Sequence, residues 1–237
     1  MSLFLFVLFI FISGCADTEV IYKDSELFTD TDAELAPCPD DMVETGNICV
    51  DIYEASRSDA TASGQGVSTD RAVSKKGVMP WMENPVNDEV YELFKAACEA
   101  SGKRLCKDPE WTSVCHGTGN TVYSWGNDFD REICNNVDIF CDDHCEENGI
   151  EDCNTGANCG YSYGCFKPQT TGNFENCKNF AGAFDINGNV WEMTDNGGSY
   201  VIRGGAFNCA NAAERLKCSF AAGWKELYAG FRCCKER

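Results

Sequence analysis

The chain has 237 residues, of which 43% are hydrophobic and 12% aromatic, and its 38 acidic and 19 basic side chains give a net charge of −19. This apolar content is sufficient for the core of one domain and excludes global disorder. The acidic surface repels phosphate backbones, which excludes nucleic acid as a partner, and it favours cations.

The N-terminus has the pattern of an export signal. Residues 1–12 are almost purely apolar, too few to span a bilayer but typical of a signal-peptide core. Ile12-Ser-Gly-Cys15 follows and is similar to a bacterial lipobox, although no Lys or Arg precedes it. We predict a lipoprotein signal peptide at 1–14, lipidation at Cys15 and a place in the bacterial cell envelope. Ala16 favours the outer membrane or the surface; an ordinary cleaved signal, giving a periplasmic or secreted protein, is the alternative.

Residues 15–37 are polar and acidic, and mutual repulsion of the carboxylates predicts an extended tether before a domain at 38–237. Setting Cys15 aside leaves an even number of the 17 cysteines. In an exported chain this favours a disulfide framework. A metal–thiolate site is disfavoured, because the chain has two histidines and no paired Cys-x-x-Cys units.

The first part of the domain predicts a hairpin and two helices. Two short strands flank a turn at 45–47, and Cys38 and Cys49 could clamp them; residues 50–54 alternate like a half-buried strand. A helix is predicted to begin after Asn87 or Asp88 and to end at Gly102. Its apolar stripe consists of Val90, Leu93, Phe94, Ala97 and Cys98.

A second helix is predicted after Asp108 as N-cap, with Pro109 at its first position and Trp111 facing inward. Residues 134–177 contain seven cysteines and show no helical or strand period. A loop of that length is pinned or functional, and disulfides can replace a core. We predict a disulfide-stapled insertion there.

The segment from Asp185 to Glu192 allows two interpretations. Its two carboxylates flank a Gly-centred turn, so their oxygens could converge on one hard cation such as Ca²⁺. Asn187-Gly188 between two apolar runs is also a signal for a type I′ hairpin. From spacing alone, the hairpin is the favoured interpretation.

Several motifs together resemble the sulfatase-modifying factor family, whose founding member is the formylglycine-generating enzyme. They are Gly102-Lys-Arg-Leu105, Glu110-Trp111, Trp125-Gly-Asn127, the segment 185–192, Arg203-Gly-Gly205 and Gly230-Phe-Arg-Cys233. The resemblance implies a single α+β domain related to C-type lectin folds, with little regular secondary structure, a small twisted antiparallel sheet and many disulfides.

The resemblance also implies structural metals and bridges. Carried over residue by residue, a Ca²⁺ site would use Asp185, Gly188, Val190 and Glu192, and a second, poorly matched site would use Asn136 and Val137. The resemblance also implies a disulfide between Cys115 and Cys233. Cys106 replaces a family proline, which suggests an extra bridge. Residues 230–234 are predicted to form the final strand. Adjacent residues on a strand point to opposite faces, so Cys233 and Cys234 need different partners. Arg203 and Arg232 are expected to pair with core acids.

The family's catalytic cysteines follow the Arg-Gly-Gly motif, where two thiolates bind Cu(I) and one forms a mixed disulfide with a substrate cysteine that O₂ oxidises to formylglycine. Cys209 matches the first. The second is expected near Ala213 or Glu214 and is missing, and Ala206 replaces a family serine.

We therefore predict a lipid-anchored, non-catalytic, Ca²⁺-stabilised module that binds an unknown protein or small molecule at the cell surface. The alternative is a formylglycine-generating oxidase with Cys209 as its catalytic residue and copper as its cofactor.

Overall fold

The computed structural model describes residues 35–137, 167–209, 211–225 and 227–237. The predicted signal peptide, Cys15, most of the tether and the centre of the insertion lie outside the described residues. Within the described ranges, no helix is long and apolar enough to cross a membrane.

The described residues form short strands and helices joined by long irregular segments, as expected for this α+β domain. In chain order they are β1 (Met42–Thr45), β2 (Ile48–Asp51), β3 (Ala55–Arg57), β4 (Ala72–Ser74), α1 (Asp88–Ala100), β5 (Arg104–Leu105), α2 (Asp108–His116), β6 (Trp191–Asp195), β7 (Tyr200–Arg203), α3 (Ala212–Arg215), β8 (Ala229–Phe231) and β9 (Cys233–Glu236). One sheet has the order β1-β2-β9-β5, a second has the order β7-β6-β8, and β3 pairs with β4.

The N-terminal hairpin forms as its sequence predicts. β1 and β2 are antiparallel, with Thr45 opposite Ile48, and the Cys38–Cys49 disulfide ties the segment before β1 to β2. The predicted strand at 50–54 ends early, at Asp51. Beyond it, Glu54 is fully buried, and its carboxylate bonds to a distant loop instead of a neighbouring strand.

Helix α1 also matches its prediction, since Asn87 Oδ1 accepts from the Val90 amide at 2.9 Å. Helix α2 differs at its start. Asp108 is already helical and Lys107 is the N-cap, because Arg203 Nε binds the Asp108 carboxylate at 2.8 Å. Glu110 closes the cap by accepting from the Lys107 amide at 2.9 Å.

The predicted strand at 230–234 is broken at Arg232. β8 pairs in parallel with β6, whereas β9 lies between β2 and β5 in the other sheet. Arg232 is therefore at the point where the chain passes from one sheet to the other, and only 1% of its surface is exposed.

Disulfides connect both faces of β9 to the rest of the domain. Cys233 bonds to Cys98 of α1, and Cys234 bonds to Cys106. The different partners of these neighbours, and the extra bridge at Cys106, agree with the sequence analysis. Cys134 also bonds to Cys177.

The predicted Cys115–Cys233 bridge is wrong, since Cys115 bonds to Cys218. The reason is the division of the core. Cys233 packs with Cys98 in the larger apolar cluster, whereas Cys115 and Cys218 belong to a second cluster that also contains Cys234.

Candidate functional site

The segment 185–192 is a buried loop that is irregular up to Val190 and whose last two residues begin β6, so the hairpin interpretation is wrong. Its backbone bonds to other segments: the Gly188 amide donates to Gly204 O at 2.8 Å, and the Asn189 amide donates to Asn135 O at 2.9 Å. The loop is thus held between the Arg-Gly-Gly motif and the start of the insertion.

Two glycines permit this close approach. Gly188 has a φ of 80°, and a Cβ there would lie 2.4 Å from Asn135 O. Gly204 has a φ of 94°, and its Cβ would lie 2.8 Å from Ile186 O. A side chain at either position would strain the backbone. It would also push the loop away from Asn135 or from Gly204.

Glu192 is the most heavily bonded carboxylate of the loop. Arg232 Nε lies 2.9 Å from Oε1 and 2.8 Å from Oε2, and Arg232 Nη2 lies 2.6 Å from Oε1. Trp111 Nε1 donates to Oε2 at 2.5 Å. Each oxygen of Glu192 therefore accepts two N–H contacts, inside a fully buried environment.

Two further carboxylates face the same region. Glu54 Oε2 accepts from Asn189 Nδ2 at 2.6 Å and its Oε1 accepts from the Val190 amide at 3.1 Å. Asp185 Oδ2 accepts from the Gly172 amide at 2.6 Å. Burial raises the pKa of Glu54 well above its ordinary value and the pKa of Asp185 to about 7.

These contacts bear on the predicted calcium site. Ca²⁺ takes six to eight oxygen ligands, and here both oxygens of Glu192 already accept N–H donors. The residues as placed do not fit Ca²⁺, and calcium at Asp185, Gly188, Val190 and Glu192 stays a prediction.

The second predicted calcium site is at the edge of the insertion. Asn136 and Val137 are both buried, and Asn136 Nδ2 donates to Arg131 O at 2.8 Å and to Cys134 O at 2.7 Å. Nothing in the described residues tests this site, which also stays a prediction.

The predicted catalytic cysteine is in the core. Cys209 is fully buried and disulfide-bonded. Ala213 and Glu214, where a second thiol was expected, lie in α3, and Ala213 O accepts from Tyr123 Oη at 2.6 Å. Every cysteine that the structure describes is disulfide-bonded, so the described residues offer no thiolate pair and do not fit Cu(I).

An open groove of about 450 Å³ lies beside β7. Its lining includes the aromatic rings of Tyr200 and Trp224 and one charge of each sign, from Asp88 and Lys225. The Lys225 ammonium lies 5.3 Å from the centre of the Tyr200 ring. A ligand in this groove would contact aromatic faces flanked by both charges.

The sequence identifies the loop as a structural site but does not reveal two of its partners. Trp111 and Glu54 reach the loop from 81 and 135 residues away. Trp111 belongs to a family motif and Glu54 to the alternating run at 50–54, and neither pattern predicts a contact with the loop. The expected pairing of the two arginines with acids is confirmed: Arg232 binds Glu192, and Arg203 binds Asp108.

Comparisons with known proteins add the following findings. The family model described as the sulfatase-modifying factor enzyme 1-like domain matches residues 46–237. A comparison with curated proteins gave no match. Among solved structures, Treponema denticola variable protein 1 is similar with a TM-score of 0.45 and 12% identity, over 86% of this chain and 94% of that one. PvdO from Pseudomonas aeruginosa is similar with a TM-score of 0.42 and 15% identity, over 80% of each chain.

Proposed function

This chain belongs to the sulfatase-modifying factor enzyme 1-like family, and we propose that here the domain is a disulfide-stabilised binding or structural module without oxidase activity. The proposal includes export, anchoring through Cys15 to the bacterial envelope, and a protein or small-molecule ligand at the cell surface. Export and anchoring are supported by the N-terminal sequence pattern alone.

The observation that carries the non-catalytic assignment is the state of Cys209. A thiol that forms a mixed disulfide with a substrate must be free and reachable. Cys209 is disulfide-bonded with no exposed surface. The position of the second thiol is taken by a short helix without cysteine, and Cys218 is bonded to Cys115.

Calcium is not part of this proposal, because Glu192 is already bonded to Arg232 and Trp111. The alternative function, formylglycine formation with copper and O₂, draws support from family membership. It requires Cys209 to be free and a second thiol to come close to it.

Alkylation of the exported, unreduced protein, followed by digestion and mass spectrometry, tests the proposal. We expect Cys209 to be unmodified and to appear in a disulfide-linked peptide. The matched control is Cys209→Ser, which should release one partner thiol and so add one alkylated cysteine. Recovery of alkylated Cys209 from the wild-type protein would refute the proposal.

A direct activity assay separates the two functions further. The wild-type protein, supplied with Cu(I), O₂ and a cysteine-containing peptide from a sulfatase-like substrate, should form no aldehyde. Aldehyde that forms with the wild-type protein and disappears with Cys209→Ser would establish the oxidase.

A further inference from the structure

The loop 185–192 contains the family's metal-binding motif, yet its carboxylate Glu192 is bonded to a side chain of the same domain. We propose that the guanidinium of Arg232 takes the place of a bound metal ion as the counter-cation of this loop. This inference does not depend on whether the domain is catalytic.

Each of the three nitrogens of the Arg232 guanidinium donates a hydrogen bond. Nε and Nη2 donate to the Glu192 carboxylate at 2.6–2.9 Å. Nη1 donates to Asp51 O at 2.9 Å, and Nη2 also donates to Phe184 O at 2.8 Å. A planar guanidinium suits such a set, because it binds a carboxylate with two parallel N–H groups and has further donors for carbonyls.

These carbonyls tie the loop to its surroundings. Phe184 immediately precedes the loop, and Asp51 ends β2 of the four-stranded sheet. Arg232 therefore connects the loop's entry, its final carboxylate and the neighbouring sheet through one side chain. A structural metal would also join carboxylate and main-chain carbonyl oxygens. The guanidinium therefore makes the cross-links that the ion would be expected to make.

A Ca²⁺ ion could coordinate Glu192 only after displacing Arg232 or Trp111. Displacing Arg232 would leave a fully buried cation without its carboxylate, which is strongly unfavourable. Arg232 also cannot move away easily, because β8 precedes it in one sheet and Cys233, which follows it, is bridged to Cys98. Because Arg232 is part of the chain, its positive charge stays at the site at any metal concentration.

The other charged groups of this region do not supply an equivalent partner for Glu192. Glu54 and Asp185 are acidic, and their hydrogen-bond donors are the Asn189 amide group and the backbone amides of Val190 and Gly172. The positive charge of Arg232 also lowers the pKa of both carboxyls, against the rise that burial causes. The fold of the loop should therefore be independent of calcium. It follows that calcium should not control ligand binding through this loop.

Thermal unfolding of the wild-type protein and of Glu192→Gln, each in 5 mM CaCl₂ and in 5 mM EDTA, tests the inference. A ligand that binds only the folded state raises its melting temperature in proportion to the logarithm of its concentration over Kd. We expect the calcium response of the two proteins to agree within about 1 °C. A rise of several degrees in the wild type that Glu192→Gln lacks would overturn the inference.

Variants at Arg232 test the guanidinium itself in EDTA. Arg232→Met removes the charge and leaves Glu192 buried without a cation, so it should lower the melting temperature strongly. Adding Glu192→Gln to Arg232→Met should restore part of the loss, because the uncompensated carboxylate is removed. A double variant no more stable than Arg232→Met would overturn the inference. If neither Arg232 variant nor Glu192→Gln folds, the same calcium comparison of the wild type with Asp185→Asn decides, because this change removes a predicted calcium ligand and leaves the Arg232–Glu192 pair in place. A calcium-dependent rise of several degrees that Asp185→Asn lacks would then overturn the inference.

Discussion

Removal of the Cys98–Cys233 disulfide, by replacing both cysteines with alanine, would test whether the stability that one bridge at β9 adds depends on the other bridge. Considered alone, a bridge across 135 residues restricts the unfolded chain by about 5 kcal/mol. The Cys106–Cys234 bridge spans 128 residues and ends at the adjacent position. With it in place, the Cys98–Cys233 bridge closes a further loop of only about ten residues, for which the same relation gives about 3 kcal/mol.

We therefore expect the free energy of unfolding to fall by about 3 kcal/mol, not about 5. Urea denaturation without reductant, followed by tryptophan fluorescence, measures this loss. The Cys38–Cys49 bridge spans only 11 residues and provides the matched control. Its removal should cost about the same, roughly 3 kcal/mol, although the sequence separations differ more than tenfold.

Removal of both bridges at β9 should cost about 6 kcal/mol. Without Cys98–Cys233, the Cys106–Cys234 bridge closes a loop of about 25 residues through Cys115–Cys218, so its loss adds a further term of about 3 kcal/mol. A loss near 5 kcal/mol on removing Cys98–Cys233 alone would refute the nested arrangement. It would show that Cys106–Cys234 does not restrict the unfolded chain as its position in the structure requires.

Two further predictions concern buried groups of the scaffold. Burial raises the pKa of Asp51 to about 6 despite its ion pair with Lys103, so this carboxyl contributes stability at pH 4 that is lost as the pH rises through 6. Asp51→Asn should reduce the fall in the free energy of unfolding between pH 4 and 6 by up to about 3 kcal/mol; an unchanged slope would contradict this. Gly188→Ala should destabilise by more than about 2 kcal/mol in urea, because its Cβ would meet Asn135 O, whereas Gly197→Ala, with a φ of 70° and open space, should cost about 1 kcal/mol. Equal losses for the two glycines would count against the packing argument.

The sequence by itself determined the local features of this domain. The cap at Asn87 and the apolar stripe predicted α1, and the turn at 45–47 predicted the first hairpin. The rule that neighbours on a strand face opposite ways predicted different partners for Cys233 and Cys234. Each of these follows from residues a few positions apart, whose geometry the backbone fixes without reference to the rest of the fold.

The family motifs also identified the domain and pointed to Asp185–Glu192 as a structural loop rather than a catalytic centre. They could not give the conformation of that loop. Asn187-Gly188 suits a hairpin locally, but the loop bonds instead to Gly204 and Asn135, and these contacts exist only after the chain has folded.

Only the tertiary structure decided which charged and sulfur groups meet. The N-cap of α2 moved to Lys107 because Arg203, 95 residues away, occupies the Asp108 carboxylate. The partner of Cys233 was decided by which apolar cluster each face of β9 covers. Glu192 met Arg232 because the last strand breaks between two sheets, and a buried carboxylate is satisfied by whichever donor the packing brings to it.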